Sequence, residues 1–135
     1  DEMGLYSSDL DRLGDAAGGQ ALRAARLVVD PGLHVLGWSR QRAIDYMLAH
    51  VPEPRDYIES EVDRYIADPG QATAYMIGRL EIERLREDAE KRLGSRFAIR
   101  EFHDRVLENG AVPLAMLREQ IETWIREESR VSAGS

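Results

Sequence analysis

Apolar residues recur along this chain at spacings of three and four, the period at which one side of an α-helix returns to the same face. From Gln20 to Asp30, the run QALRAARLVVD places Leu22, Ala25 and Val29 on one stripe. Arg23, Arg26 and Asp30 fall on another, at i, i+3 and i+7. Ser8 to Gly14 reads as a short turn or helix, and Gly18-Gly19 is expected to interrupt it, because glycine weakens a helix interior. Pro31 and Gly32 are expected to kink or end the Gln20–Asp30 helix.

Ser39 is a suitable N-cap for RQRAIDYMLAHV, with Ala43, Ile44, Met47 and Leu48 as its apolar face and Pro52 and Pro54 closing it. The next helix, Arg55 to Ala67, carries Ile58, Val62, Tyr65 and Ile66. Asp68 can cap a further helix, and Pro69 suits its first position. That helix is expected to run to Leu93 and stop at Gly94, its second half lined with i, i+4 ion pairs such as Glu87–Lys91. A helix from about Ala98 to Glu108 buries Ile99, Phe102 and Val106, and another from Pro113 buries Leu114, Leu117, Ile121, Trp124 and Ile125. No alternating strand pattern and no internal repeat stands against them. The expectation is an all-α array of about six helices, a single domain over residues 1–128, with 129–135 a disordered polar tail.

Composition narrows the functions open to such an array. The chain has 135 residues and a net charge of −7, which argues against nucleic acid and against anionic membrane surfaces, both of which need a concentrated cationic face. No apolar run approaches the roughly 18 residues needed to span a bilayer. The lack of cysteine removes disulfides and thiolate metal sites but leaves the compartment open, with the cytoplasm favoured slightly over export.

The candidate chemistry is concentrated in RYIADPGQATAYMIG. Gln71 stands three residues after Asp68, so its plain reading is a capping box. Tyr75 follows one turn later on the same face, and Gly78 leaves room there for another helix or for a substrate. Tyr65 could point at the same place. A helix N-terminus flanked by phenol and amide donors can hold a carboxylate or a developing oxyanion. His34, His50 and His103 are far apart and none opens an H-E-x-x-H motif, so no metal ligands are assigned here. His103, beside Phe102, reads as a structural histidine near the core, and Trp38 and Trp124 as packing residues.

The stretches MGLY, RAARLVVDPGLHVLGWSRQRAIDYM, EVDRYIADPGQATAYMIG and REFHDRVLENGAVPL, in this order and spacing, resemble the C-terminal portion of a bacterial domain-of-unknown-function family (eight-eight-five). The resemblance covers about residues 2 to 126. The family is similar to zinc-dependent peptidases of the gluzincin kind, long helical proteins with H-E-x-x-H and a downstream glutamate ligand in an E-G-W-A stretch. The resemblance implies that this chain begins just after the last metal ligand and is the C-terminal part of a larger gluzincin-like fold. Zinc, the catalytic N-terminal half and a peptide substrate would then belong to the intact protein, in which a zinc-bound water activated by the motif's glutamate attacks a peptide carbonyl.

By matched position the resemblance gives Tyr75 the role of oxyanion-side donor, with Gln71 a substrate binder and Tyr65 a second phenol. His34 matches the family's D-x-G-x-H segment. Arg26 and Asp30 could pair and hold His34 in place, or Arg26 could take a peptide's terminal carboxylate. Two positions depart from the pattern: Pro31 stands where threonine is expected, and Met76 where lysine is expected. The competing expectation is a stand-alone helical module that binds a partner or itself, in which Gln71, Tyr65 and Tyr75 are core or capping residues with no shared polar site. Either way, faces meant for a missing half would be exposed and should drive self-association through parts of the first two helices.

Overall fold

The computed structural model describes residues 8–131, so the MGLY stretch and residues 132–135 lie outside the described residues. Among the described residues the chain is all-α: α1 (Asp9–His34), α2 (Arg40–His50), α3 (Arg55–Ala67), α4 (Gln71–Leu93), a 3₁₀ turn (Gly94–Arg96), α5 (Ile99–Leu107) and α6 (Leu114–Val131). Among the described residues they form two compact units that divide between Ile77 and Gly78, with α4 contributing its first two turns to one and the remainder to the other.

In the first unit the core is built where the apolar stripes predict, except at Ile66 of α3, which its spacing put on the stripe but which is 43% exposed. Ala25 and Val29 of α1, Ala43, Ile44 and Met47 of α2, Ile58, Val62 and Tyr65 of α3 and Ala72 of α4 are all buried in one cluster. The second unit buries Leu85, Ala89 and Leu93 of α4 against Phe102 of α5 and Leu117, Ile121, Trp124 and Ile125 of α6.

α1 differs from expectation. It is continuous through Gly18-Gly19 and through Pro31. Each glycine costs a helix only about 1 kcal/mol, which flanking turns can absorb. Pro31 lies in the final turn, where one missing N–H ends little. At the other end of the chain, α6 continues through Val131, so the first residues expected in a tail are helical. His103 is exposed while Phe102 is buried, because consecutive helical residues point about 100° apart.

The α1–α2 corner is set by a close approach. Trp38 lies against Gly32, and a Cβ there would sit 2.6 Å from the indole. Arg42 lies over the ring, 4.3 Å from its centroid, and Ser39 Oγ accepts the Arg42 N–H to start α2. Gly32→Ala is expected to destabilise the chain by about 1–3 kcal/mol through overpacking, read as a lower midpoint in urea unfolding with the slope unchanged.

Candidate functional site

The α3–α4 corner is a place where two helices end and begin without enough partners of their own. The Tyr65 carbonyl, in the last turn of α3, would be bonded by the N–H four residues on, but that residue is Pro69 and has none. His34 supplies the missing donor: its Nε2 lies 2.9 Å from the Tyr65 carbonyl oxygen. A carbonyl only accepts, so this bond puts the proton on Nε2 and leaves Nδ1 as the free nitrogen, a donor only when the ring is protonated.

One turn earlier on α1, the Asp30 carboxylate accepts the Gly70 N–H at 3.0 and 3.2 Å. Gly70 turns the chain with φ +83°, a region open to glycine at little cost. Its N–H sits at the start of α4, where an anion is favoured. Asp68, expected to cap α4, instead closes α3 with its N–H on the Arg64 carbonyl. Asp30 therefore does from 40 residues away what a local capping box was expected to do. The side chains of D-P-G-L-H that the sequence marks out, Asp30 and His34, hold the two ends of this corner.

Gln71 is consequently free for another task. Its Oε1 accepts from Arg64 Nη1, and its Nε2 donates to the Tyr75 hydroxyl oxygen at 3.2 Å. Arg64 in turn forks onto Glu61, Nε to Oε1 at 3.1 Å and Nη2 to Oε2 at 2.9 Å. Glu61 Oε2 also accepts from Arg26 Nη2 at 2.7 Å and from the Tyr65 hydroxyl at 2.8 Å. Arg26 Nε closes the ring by donating to the Tyr65 oxygen at 2.9 Å. The guanidinium of Arg26 lies 5.7 Å from the Tyr65 ring centroid and 5.4 Å from that of Tyr75.

Helical spacing explains how the parts meet. Arg26, Asp30 and His34 repeat every four residues along α1, Glu61, Arg64 and Tyr65 share a face of α3 at i, i+3 and i+4, and Gln71 and Tyr75 are one turn apart on α4.

Burial pushes the Glu61 carboxyl up, yet hydrogen bonds from Arg64, Tyr65 and Arg26 outweigh it and hold the group down at about 2. The Tyr65 phenol is pushed up to about 12, first by burial and further by Glu61, against the opposing pull of Arg26. It stays a neutral hydroxyl at any ordinary pH. Arg64 is raised above its usual range, first by its bond to Glu61.

The six residues picked from sequence thus lie in one hydrogen-bonded region, but with different parts to play. Arg26 and Asp30 do not pair with each other; each reaches across to another helix. Tyr65 is wholly buried with both hydroxyl capacities used inward, so it supports Arg26 and Glu61 rather than facing outward. Tyr75 is 52% exposed, and its hydroxyl oxygen accepts from Gln71 while its own proton has no acceptor among the described residues. Glu61 and Arg64 were not picked out. Their signal was present in E-V-D-R-Y, where a carboxylate, a guanidinium and a phenol share one face, but it also reads as a solvated ion pair.

Among the described residues no three His, Cys, Asp or Glu side chains gather as a metal would require. The Gly78 face is open, with no atom within 4 Å of where a Cβ would stand. In the second unit a depression of about 390 Å³ lies on α5 and α6, where Arg105 pairs with Glu108, and Gln120 with Glu108 and Asn109. The chemistry of an unspent donor is on the first unit.

A crystal structure described as "the putative lipoprotein from Colwellia psychrerythraea" superposes with a TM-score of 0.89 at 44% identity, covering 93% of this chain. The chain spans only 22% of that protein's length. No curated protein matches the sequence. The family described as "Bacterial protein of unknown function (DUF885)" matches residues 1–121, and the chain belongs to that family.

Proposed function

We propose that this chain is the C-terminal helical portion of a peptidase-like hydrolase and supplies the side chains that hold the substrate carbonyl. The observation that carries the reading is the exposed Tyr75 hydroxyl. Its oxygen is pinned by Gln71, which is itself fixed by Arg64 and Glu61, so the hydroxyl proton is presented outward from a positioned donor. A donor held in place before charge develops stabilises an oxyanion without reorganising. His34 is exposed with its Nε2 spent on the Tyr65 carbonyl, so Tyr75 is the donor of this reading and Gln71 orients it. Tyr65, Arg26 and Glu61 form the support beneath them.

The described residues do not fit a zinc site, so a metal in this reading is held by polypeptide outside this chain. The size of the Colwellia psychrerythraea protein, of which this chain covers about a fifth, supports the existence of such a portion. The lipoprotein description of that neighbour supports export of the longer protein rather than residence in the cytoplasm. Among the described residues no helix is long and apolar enough to cross a membrane.

Assaying this chain and a longer family member containing it on a peptide library, each with added zinc, tests the proposal. Cleavage by the longer protein and none by this chain is the expected result. Cleavage by this chain alone, or none by the longer protein, overturns it.

A second reading, a helical module that associates with itself, is favoured by Val35 and Leu36, which stand 78% and 67% exposed at the end of α1. Two large aliphatic side chains at one corner are poorly placed in water. The isolated chain is therefore expected to form a dimer or larger assembly that Leu36→Ser weakens, measured by sedimentation equilibrium. A monomer at high concentration removes this reading.

A further inference from the structure

Arg26 is an unusual cation. Its side chain is only 10% exposed, yet the structure uses just two of its three nitrogens: Nε on Tyr65 and Nη2 on Glu61. Nη1 has no partner among the described residues. It is also not sealed in, because no buried side-chain nitrogen or oxygen among the described residues lacks a hydrogen bond. Nη1 therefore keeps some contact with solvent, and the guanidinium lies over the half-exposed Tyr75 ring, 5.4 Å from its centroid.

Charge in the cluster points the same way. Arg26 and Arg64 share the one carboxylate of Glu61, and Asp30 is taken by the Gly70 N–H at the head of α4. Arg23, one turn before Arg26 on α1, has no hydrogen bond or ion pair among the described residues. On a chain of net charge −7, this is a local surplus of fixed positive charge. A planar guanidinium edge matches a carboxylate in two-point geometry.

We propose that the Nη1 edge of Arg26 is a recognition subsite for a carboxylate, supplied by the C-terminus of a peptide or by an acidic side chain within one, while Tyr75 keeps its one proton for the substrate carbonyl. This rests on the peptide-hydrolase reading and names the substrate class: peptides carrying a carboxylate near the scissile bond. Tyr65 and Glu61 position the arginine, fixing two nitrogens and leaving the third. No bond is made or broken at this subsite; it binds.

The test is binding of short peptides to this chain, followed by side-chain Nε–Hε resonances of arginine and by calorimetry. Three peptides of one sequence are used: the free acid, its C-terminal amide, and the amide with a glutamate inserted. The free acid is expected to bind roughly tenfold or more tightly than the amide, shifting the Arg26 signal. The glutamate-containing amide matching the free acid assigns the carboxylate to a side chain; failing to match it assigns the carboxylate to the C-terminus. Arg26→Lys keeps the charge but not the planar edge and should reduce the acid's preference. Equal binding of acid and amide, no binding of the acid at millimolar concentration, or a preference untouched by Arg26→Lys overturns the subsite. Cleavage by a longer family member without any carboxylate preference would sink the subsite alone; carboxylate preference without cleavage would sink the hydrolase reading alone.

Discussion

Glu61→Ala is expected to lower the stability of this chain by about 3 kcal/mol, the largest loss of any single truncation in the cluster. The side chain is 14% exposed and accepts four hydrogen bonds, two from Arg64 and one each from Arg26 and Tyr65. Removing it leaves the Arg26 cation buried without a counter-charge, which costs more than the pair itself is worth. Glu61→Gln keeps an acceptor and should lose about half as much. The double variant Arg26→Met with Glu61→Leu should recover most of the loss, since a buried pair replaced by apolar volume is close to neutral. Urea unfolding of the three variants measures this. A double variant no more stable than Glu61→Ala would mean that the pair is needed for the fold itself.

The same carboxylate makes stability depend on pH. Its folded value, about 2, lies below the 4.5 of a free glutamate. The stabilisation is therefore complete above 4.5 and is lost as pH falls from 4.5 through 2. The full shift corresponds to about 3 kcal/mol, and solvent screening at its exposed edge brings the expected contribution to roughly 1–2 kcal/mol. Tyr65 acts at the other end: raised from 10 to about 12, it contributes below pH 10 and is lost as pH rises through 12. In Glu61→Ala the acid limb should flatten, which unfolding midpoints between pH 2 and 6 would reveal.

Tyr75→Phe in a longer family member is expected to reduce kcat/KM for peptide cleavage by about 10²–10³, with kcat carrying most of the change. Only the hydroxyl is lost, and Gln71 is the only described side chain that bonds it. Stability should therefore change by no more than about 0.5 kcal/mol. Gln71→Ala should give a smaller loss, because it frees the phenol to rotate without removing its proton. If Tyr75→Phe leaves kcat/KM unchanged while Glu61→Ala still destabilises, the cluster is structural and the oxyanion role is wrong.

Much of the fold was legible because a helix is decided locally. The apolar stripes of α2, α3 and α6 are complete within their own segments, Ser39 caps α2 as its type requires, and α3 runs from Arg55 to Ala67 as read. The errors arose where a local signal was outweighed. Gly18-Gly19 and Pro31 are weak or poorly placed breakers, and packing of Ala25 and Val29 carries α1 through them. The Asp68–Gln71 capping box has the right spacing, yet Asp30 satisfies the corner and releases Gln71 to Arg64 and Tyr75.

Residue by residue, the site divides in the same way. That Gln71 and Tyr75 share a helical face, and that Arg26, Asp30 and His34 share another, follows from spacing alone. Which groups these faces meet does not. Pro69 withholds a donor from the Tyr65 carbonyl, a lack visible in the sequence, but only the packing of α1 on α3 brings His34 to fill it. Glu61 and Arg64 were not singled out, because burial, which no spacing encodes, is what makes their carboxylate the centre of four bonds. The sequence by itself determined the helices, their apolar faces and which polar side chains lie one turn apart, because these depend on neighbours within a few residues. Only the tertiary structure decided that Tyr65 faces inward, Tyr75 outward and Arg26 with one edge unspent, because those depend on which helix removes water from which atom.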